Sequence, residues 1–378
     1  MKITIIGAGI GGLTTAIALK QKGFDVEIFE TSAEFKKAGS GINLAINAMQ
    51  VYKRLGLYRK IESLGSYTNK MCITNKDLKV ISKLDLSKAE TIFDSKTFAI
   101  HRGILHSVLV DELTDVKIHL NKKLKSLTQT DDKVKLVFED GTEHTSKLVI
   151  GADGIYSAVR QSIFNNTELR VAKQVCWRGI SKINIDKQYK TELNEAWGKG
   201  KRFGFVNISD YEVYWFALTN YKNDYQSEFK DVKVKTIFKD FSPLINAIID
   251  NTNDEDIILG EIKDLKPIDS WHYKNVCLVG DSAHATTPNM GQGACQAIES
   301  AYVIAECLAN EPDTKSAFNK YENIRKKTAL SVIKTSWTVG KMAHLSNGIA
   351  VFLRNTFLKI MPKSMAEKQS FSVFKLKY

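Results

Sequence analysis

The sequence contains no apolar run near the about 20 residues that a membrane-spanning helix needs, so no spanning segment is expected. Met1 to Leu19 opens with one Lys and an apolar stretch. It carries a tight glycine pattern and no small-residue cleavage region, so it does not read as a signal peptide. The five cysteines, Cys72, Cys176, Cys277, Cys295 and Cys307, are scattered, odd in number and without a CxxC spacing. Neither a disulfide framework nor a zinc site is indicated, and a reducing cytoplasm fits. No internal repeat or low-complexity tract occurs. No run of five or six basic residues occurs either, although 54 Lys and Arg against 42 Asp and Glu give a net charge of +12. The densest basic cluster, Lys122 to Lys135, is interleaved with Asp131 and Asp132 and reads as a solvated face. Nucleic acid is therefore not an expected partner. A Lys-rich surface biased toward anionic cofactors and substrates is.

What is present is a 378-residue chain, 43% apolar and 25% charged, long enough for two or three domains with a buried core. Lys2 to Ile6 and Asp25 to Glu30 read as buried parallel strands flanking a helix over Leu13 to Lys22 that stops at Gly23. Helical spacing runs over Ala48 to Leu64, with a break near Gly56, and over His101 to Leu113. Tyr67 to Phe98 alternates and predicts strands. Val116 to Lys147 predicts a three-stranded meander with its turn at Asp140-Gly141. Leu148 to Gly151 and Asn275 to Gly280 read as further buried strands. Val171 to Thr219 is strand-rich and aromatic, Val232 to Asn251 helical, and Gln292 to Ala309 a helix with one apolar stripe. The remainder reads as helical and basic, ending near Pro362. Because the α/β signals come in separate pieces with β-rich inserts, the expected fold class is α/β: a discontinuous nucleotide-binding domain with a second, β-rich domain.

Three motifs carry chemistry. Gly7-Ala8-Gly9-Ile10-Gly11-Gly12 lies between strand and helix. Gly7 permits the tight turn, Gly9 lets a pyrophosphate approach the helix N-terminus, and Gly12 lets helix and strand pack. Glu30 ends the second strand, 18 residues past Gly12, where a carboxylate can accept both hydroxyls of an adenosine ribose. That site alone suits FAD or NAD. Far downstream, Gly280-Asp281 follows a buried strand and leads through Pro288 and Gly291-Gln292-Gly293 into the long helix, presenting free backbone N–H groups again. Two such sites about 270 residues apart suit one extended cofactor, ADP at one end and flavin at the other. The third motif is Gly151-Ala152-Asp153-Gly154, with Ser157 and Arg160 behind it. Arg102 begins a helix, where it can clamp a pyrophosphate. No metal-ligating pattern is found.

In this combination the chain resembles the single-component, or group A, flavoprotein monooxygenases with the para-hydroxybenzoate hydroxylase fold, over roughly Met1 to Arg325. It is most similar to their salicylate hydroxylase, urate hydroxylase and zeaxanthin epoxidase branch, through Gly41 to Ala48 and Gly293 to Glu299. It departs at Ser282 and Ser300, where many members have Ala and Asp. The resemblance implies a discontinuous Rossmann-type FAD-binding domain (1–66, 99–170 and 270–340), a β-rich substrate domain (67–98 and 171–269) and a C-terminal helical tail (341–378). It implies FAD held by Glu30 at the ribose, Arg102 at the phosphates and ribityl region, Asp281 at the ribityl chain, and the backbone from Pro288 to Gly293 along the flavin. Asp153, with Gly154, is implied to touch both FAD and the nicotinamide cofactor.

The implied reaction uses NADPH or NADH as a transient reductant and dioxygen. It hydroxylates a small aromatic or heteroaromatic substrate through a flavin C4a-hydroperoxide. Two alternatives stay open: the same fold performing another oxygenation, such as epoxidation of a polyene, or a non-catalytic FAD-binding regulator. A halogenase is disfavoured, because Trp177-Arg178-Gly179-Ile180 lacks the second Trp and the Pro of that group's stretch. Arg202 and Tyr214, 12 residues apart, resemble the Arg and Tyr that meet substrate in urate hydroxylases. Arg178 is a further candidate, and Phe203, Phe205 and Phe216 are expected to supply an apolar wall. His284 is expected to make a structural hydrogen bond rather than act as an acid. The tail over Leu345 to Met361 is expected to dock across the two domains, a lipid surface being the other reading and stable insertion not expected. The protein is expected to be a monomer or dimer.

Overall fold

The computed structural model describes residues 2–35, 40–165 and 167–378. A six-stranded sheet forms its nucleotide half. Its strands, in spatial order, are His272–Tyr273, Val276–Leu278, Leu148–Gly151, Lys2–Ile6, Asp25–Phe29 and Lys117–His119, parallel except for the first. These strands read as continuous apolar runs because helices cover them: Ile3, Ile5, Ile28, Val149, Ile150, Cys277 and Leu278 are fully buried. The register sets Ile6 beside both Phe29 and Gly151, and Gly151 beside Leu278. The three sequence motifs, 270 residues apart in the chain, therefore emerge side by side at one sheet edge, the carboxyl ends where α/β sheets bind ligands. The fold is α/β, a Rossmann-type unit drawn from separate stretches of chain, joined to β-rich sheets and C-terminal helices.

The first helix, Ile10–Gln21, is buried over nearly its whole length because it lies between that sheet and the long helix Gly293–Asn310. A seven-stranded sheet forms the other half: Ile258–Leu265, Leu169–Ser181, Glu212–Asn220, Lys201–Ser209, Glu192–Trp197, Lys70–Thr74 and Val80–Asp85. One face packs Trp177, Phe203, Phe205 and Trp215 against Phe238, Ile245 and Ile248 of two short helices. Strand residues alternate between faces, so Arg202, Val206, Tyr214, Phe216 and Leu218 turn the other way.

Four expectations need correction. Phe203 and Phe205 belong to the helix-covered core, not to the face that carries Arg202. Ser87–Phe93, expected as strand, is a helix whose start is held by the Asp85 carboxylate accepting the Ser87 N–H. Lys117–His119 joins the parallel sheet, where the His119 ring stacks on Phe29 at 4.3 Å, and the meander is built from Leu124–Gln129, Val134–Phe138 and Glu143–Ser146. The chain does not end its helices at Pro362. That proline opens a further helix, Lys363–Phe374, where its missing N–H costs nothing.

Behind the long helix lies a buried charged network. Arg325 donates to Glu299 at 2.5 Å, to the Gln296 side chain at 2.6 Å and to Ser300 at 3.3 Å. Glu299 also accepts from Asn47 at 2.6 Å, and Ser300 bonds the His284 ring at 2.9 Å. Removing one partner of a buried ion pair strands the other, at about 3–5 kcal/mol. Arg325→Met should lower unfolding free energy by about that amount in denaturant titration. A loss under about 1 kcal/mol would mean that the network is not closed in solution.

Burial, and then the Arg325 cation, push the His284 pKa down to about 3 from 6.5. The folded protein thus keeps His284 neutral while the unfolded chain takes up a proton below about 6.5. Stability is lost as pH falls from the unfolded value toward the folded one. Between pH 6.5 and about 5, above most carboxylate titrations, the fall in melting temperature should be shallower in His284→Gln than in the parent. Equal slopes would contradict a neutral His284.

Candidate active site

Two cavities meet at one arginine. The first, about 450 Å³, lies at the ends of the first two parallel strands and is lined by Ala8, Gly9, Glu30, Ser32, Arg102 and His106. The second, about 360 Å³, lies between the two sheets. Its one wall is Asp281, Pro288, Met290, Gly291 and Gly293; the other is Arg178, Arg202, Tyr214 and Phe216, with Glu195 nearby. Arg102 borders both.

The glycine turn is forced by close approach. Gly7 has φ +103°, and a Cβ on it would lie 2.5 Å from the Ala152 carbonyl oxygen; one on Gly12 would lie 2.0 Å from the Gly7 carbonyl oxygen. Glu30 ties this turn down: one carboxylate oxygen accepts the Ala8 N–H at 2.6 Å and the other the Ser32 N–H and hydroxyl at 2.8 Å. His106 donates from Nε2 to the Ala8 carbonyl at 2.8 Å. Arg102 opens a helix that His101 caps by accepting the Gly103 N–H at 3.0 Å.

At the other cavity, Asp281 begins a one-turn helix and is exposed on the cavity wall among closely packed neighbours. That enclosure raises its carboxyl above the usual range, against the pull of Arg102. Tyr214 packs against Gly41, where a Cβ would come within 2.4 Å of its ring. Burial raises its phenol well above the ordinary value, so it stays protonated at neutral pH. Arg202 is fully buried, donates to the Asn289 side-chain oxygen at 2.7 Å, and has Glu195 at 3.5 Å. Asn289 in turn donates to Thr287 at 2.9 Å and to the Ser336 carbonyl at 3.0 Å, which joins the sheet to the loop that enters the long helix.

Several expected residues lie behind the walls. Gly7, Gly12, Asp153, Gly154 and Gln292 line neither cavity. Asp153 is occupied by its own loop, accepting from the Ser157 hydroxyl at 2.5 Å and from the Val159 N–H at 3.0 Å. Gln292 accepts from Asn47 at 3.0 Å and from Gln296 at 3.3 Å. The residues that sequence reasoning passed over are Asn43, Glu195, Thr286 and Asn289. Asn289 was within reach, because it sits inside the Pro288–Gly293 segment; Glu195 on its strand gave no signal.

An extended dinucleotide fits these residues. Neither long helix at the site, Ile10–Gln21 or Gly293–Asn310, has a side-chain cap, which leaves N–H groups for a ligand. A Cβ on Gly9 would meet nothing within 4 Å, so the backbone there is open. Among the described residues, Asn43 Oδ1, Thr286 Oγ1 and Arg202 Nε and Nη1 are buried around the second cavity with no hydrogen-bond partner. Buried polar atoms are normally paired, and several without a hydrogen bond around one space indicate a polar ligand.

A model of the FAD-binding domain family matches residues 1–336. The chain belongs to that family. It is 31% identical over 374 residues to aurachin C monooxygenase/isomerase of Stigmatella aurantiaca, covering 98% of this chain and 97% of the relative. It is 29% identical to 2-heptyl-3-hydroxy-4(1H)-quinolone synthase of Pseudomonas aeruginosa, covering 96% and 95%. The fold matches that of Klebsiella pneumoniae HpxO complexed with FAD and uric acid, with a TM-score of 0.90 at 24% identity over 99% and 96% of the chains. The chain is a flavoprotein monooxygenase with FAD as its cofactor.

Glu30→Ala, which removes a charged acceptor from the first cavity, should weaken FAD binding by about 1–3 kcal/mol, measured by titrating apoprotein with FAD. Unchanged affinity would remove Glu30 from the cofactor site.

Proposed function

We propose that this chain uses NAD(P)H and dioxygen to hydroxylate a fused heteroaromatic substrate of quinolone type bearing an apolar chain, bound in the cavity between Asp281 and Tyr214. The observation that carries the reading is the buried Arg202, whose Nε has no hydrogen-bond partner, beside Tyr214 in a wall whose apolar part is Met71, Leu193, Val206, Phe216 and Leu218. Two of the relatives matched over nearly the whole chain, an aurachin C monooxygenase/isomerase and a 2-heptyl-3-hydroxy-4(1H)-quinolone synthase, support it.

Glu30 would hold the adenosine ribose, Arg102 the pyrophosphate at the junction of the cavities, and Asp281 a ribityl hydroxyl. The N-terminus of the helix starting at Gly293 would face the flavin edge that gains negative charge on reduction. Asp153 would act on the cofactor only by shaping the Gly151–Gly154 loop under Gly7. FAD held by these residues would supply dioxygen activation at the expense of NAD(P)H, with one oxygen atom going to the substrate and the other to water.

The protein's own residues supply position and electrostatics. The Arg202 guanidinium, fixed by Asn289 and Glu195, would stabilise the anionic form of a ring oxygen and so enrich the carbon to be oxygenated. The Tyr214 phenol, kept protonated by burial, would donate to the same edge of the ring. Met71, Leu193, Val206, Phe216 and Leu218 exclude water and suit an alkyl chain. Five unpaired, buried thiols suit a reducing cytoplasm.

A panel of 2-alkyl-4-quinolones should stimulate NAD(P)H oxidation and give a product one oxygen atom heavier. Misplacement by about an ångström can cost on the order of 100-fold. Arg202→Gln and Tyr214→Phe should therefore lower product formed per NAD(P)H consumed and release hydrogen peroxide, with FAD content normal. Unchanged coupling and substrate affinity in both variants would move the pocket elsewhere, with Arg178 next in line.

A further inference from the structure

Helix Gly348–Ile360 has two apolar faces and only one of them is covered. On the inner face, Leu358 packs with Ile81, Trp197 and Ala343. Arg354 donates to the Ala343 carbonyl at 3.0 Å and holds its guanidinium 5.3 Å from the centre of the Trp197 ring. This face docks the helix on strands of the seven-stranded sheet and on the preceding helix, whereas docking across the two domains was expected. The outer face carries Ile349 (73% exposed), Phe352 (68%), Leu353 (60%), Phe357 (54%) and Ile360 (73%). The spacing i, i+3, i+4, i+8, i+11 puts all five on one side of the helix. Single exposed apolar residues are ordinary, but a contiguous stripe of five large ones marks an interaction surface.

Charge identifies the partner. Apart from the inward-facing Arg354, residues 341 to 378 carry six basic residues and one acidic, Glu367, a net charge of +5 in a protein of net charge +12. Glu367 is itself paired with Lys88 at 3.1 Å. Lys359 and Lys368 are exposed, and Met365 of the following helix is 58% exposed. A second copy would bring the same positive charge to the interface and be repelled. A surface that is apolar within and anionic at its face complements both features.

We propose that the outer face of Gly348–Ile360 docks the protein on anionic lipid bilayers, lying in the plane of the interface. No helix among the described residues is long and apolar enough to cross a membrane, so the contact is peripheral. In this mode Phe352, Leu353 and Phe357 enter the headgroup–acyl boundary while neighbouring lysines meet lipid phosphates. Each such lysine adds attraction that salt screens. The inference does not depend on the substrate or reaction assigned above.

The test is sedimentation of the FAD-loaded protein with phosphatidylcholine vesicles with and without phosphatidylglycerol. The protein should pellet with the phosphatidylglycerol vesicles at low salt and be released as salt is raised. Phe352→Ser with Phe357→Ser should lower the partition coefficient at least roughly tenfold, since two large apolar side chains lose their burial. Lys359→Glu with Lys368→Glu should reduce the dependence on phosphatidylglycerol. All four positions are solvent-facing, so both variants should keep the parent's FAD content and melting temperature. Equal sedimentation of parent and variants, no preference for the anionic vesicles, or light scattering showing that the Phe substitutions turn a dimer into a monomer would overturn the proposal.

Discussion

Two helix N-termini begin beside the same row of strand ends, and the rest of the site follows from that crowding. Ile10–Gln21 and Gly293–Asn310 pack against each other at their starts, where a Cβ on Gly11 would sit 3.4 Å from Ala297 and one on Gly280 only 3.0 Å away. Gly7 lies closer still to Ala152, and Gly12 to Gly7. A larger residue at any of the tightest positions would push a helix off the strand ends. With small residues there, the uncapped N–H groups of both helices face one continuous space, and the partial positive charge at each N-terminus favours an anionic, extended ligand. Arg102 stands where the two halves of that space join.

The seven-stranded sheet completes the site from the opposite side, and its alternation assigns each residue to core or cavity. Phe203, Phe205 and Trp215 are used in packing, and the intervening positions present Arg202, Tyr214 and Phe216. Phe216 lies across Gly204, where a Cβ would come within 2.1 Å of its ring, so a glycine in the middle of a strand makes room for a cavity aromatic. The Arg202–Asn289 bond then ties this wall to the loop that opens the long helix. The sheet face that carries Arg202 and the loop that opens the long helix are thus joined by a buried donor–acceptor pair, and a shift of either is felt by the other.

The nucleotide half was largely legible in the sequence, because parallel strands buried on both faces and glycine turns leave dense local signals. Gly7 to Gly12, Glu30 and Gly280-Asp281 stand in one row as their motifs implied. The substrate wall was harder. Period-2 alternation in Lys201–Ser209 separates two faces without saying which one a helix will cover, so Phe203 and Phe205 were expected on the wrong side. Asp153 was legible as a motif but not as a carboxylate engaged within its own loop by Ser157 and Val159. Glu195 and Thr286 acquire meaning only from residues far away in the chain. The Ser87–Phe93 helix was missed because seven residues hold too few periods to compete with the alternation around them.

The central claim is that two cavities, sharing Arg102, are the two ends of one cofactor site. The most direct measurement is the identity and number of nucleotides that the purified, reconstituted protein releases on heat denaturation. One intact FAD per chain is the expected result. Two nucleotides per chain, or FMN or NAD in place of FAD, would contradict a single extended ligand held across Arg102.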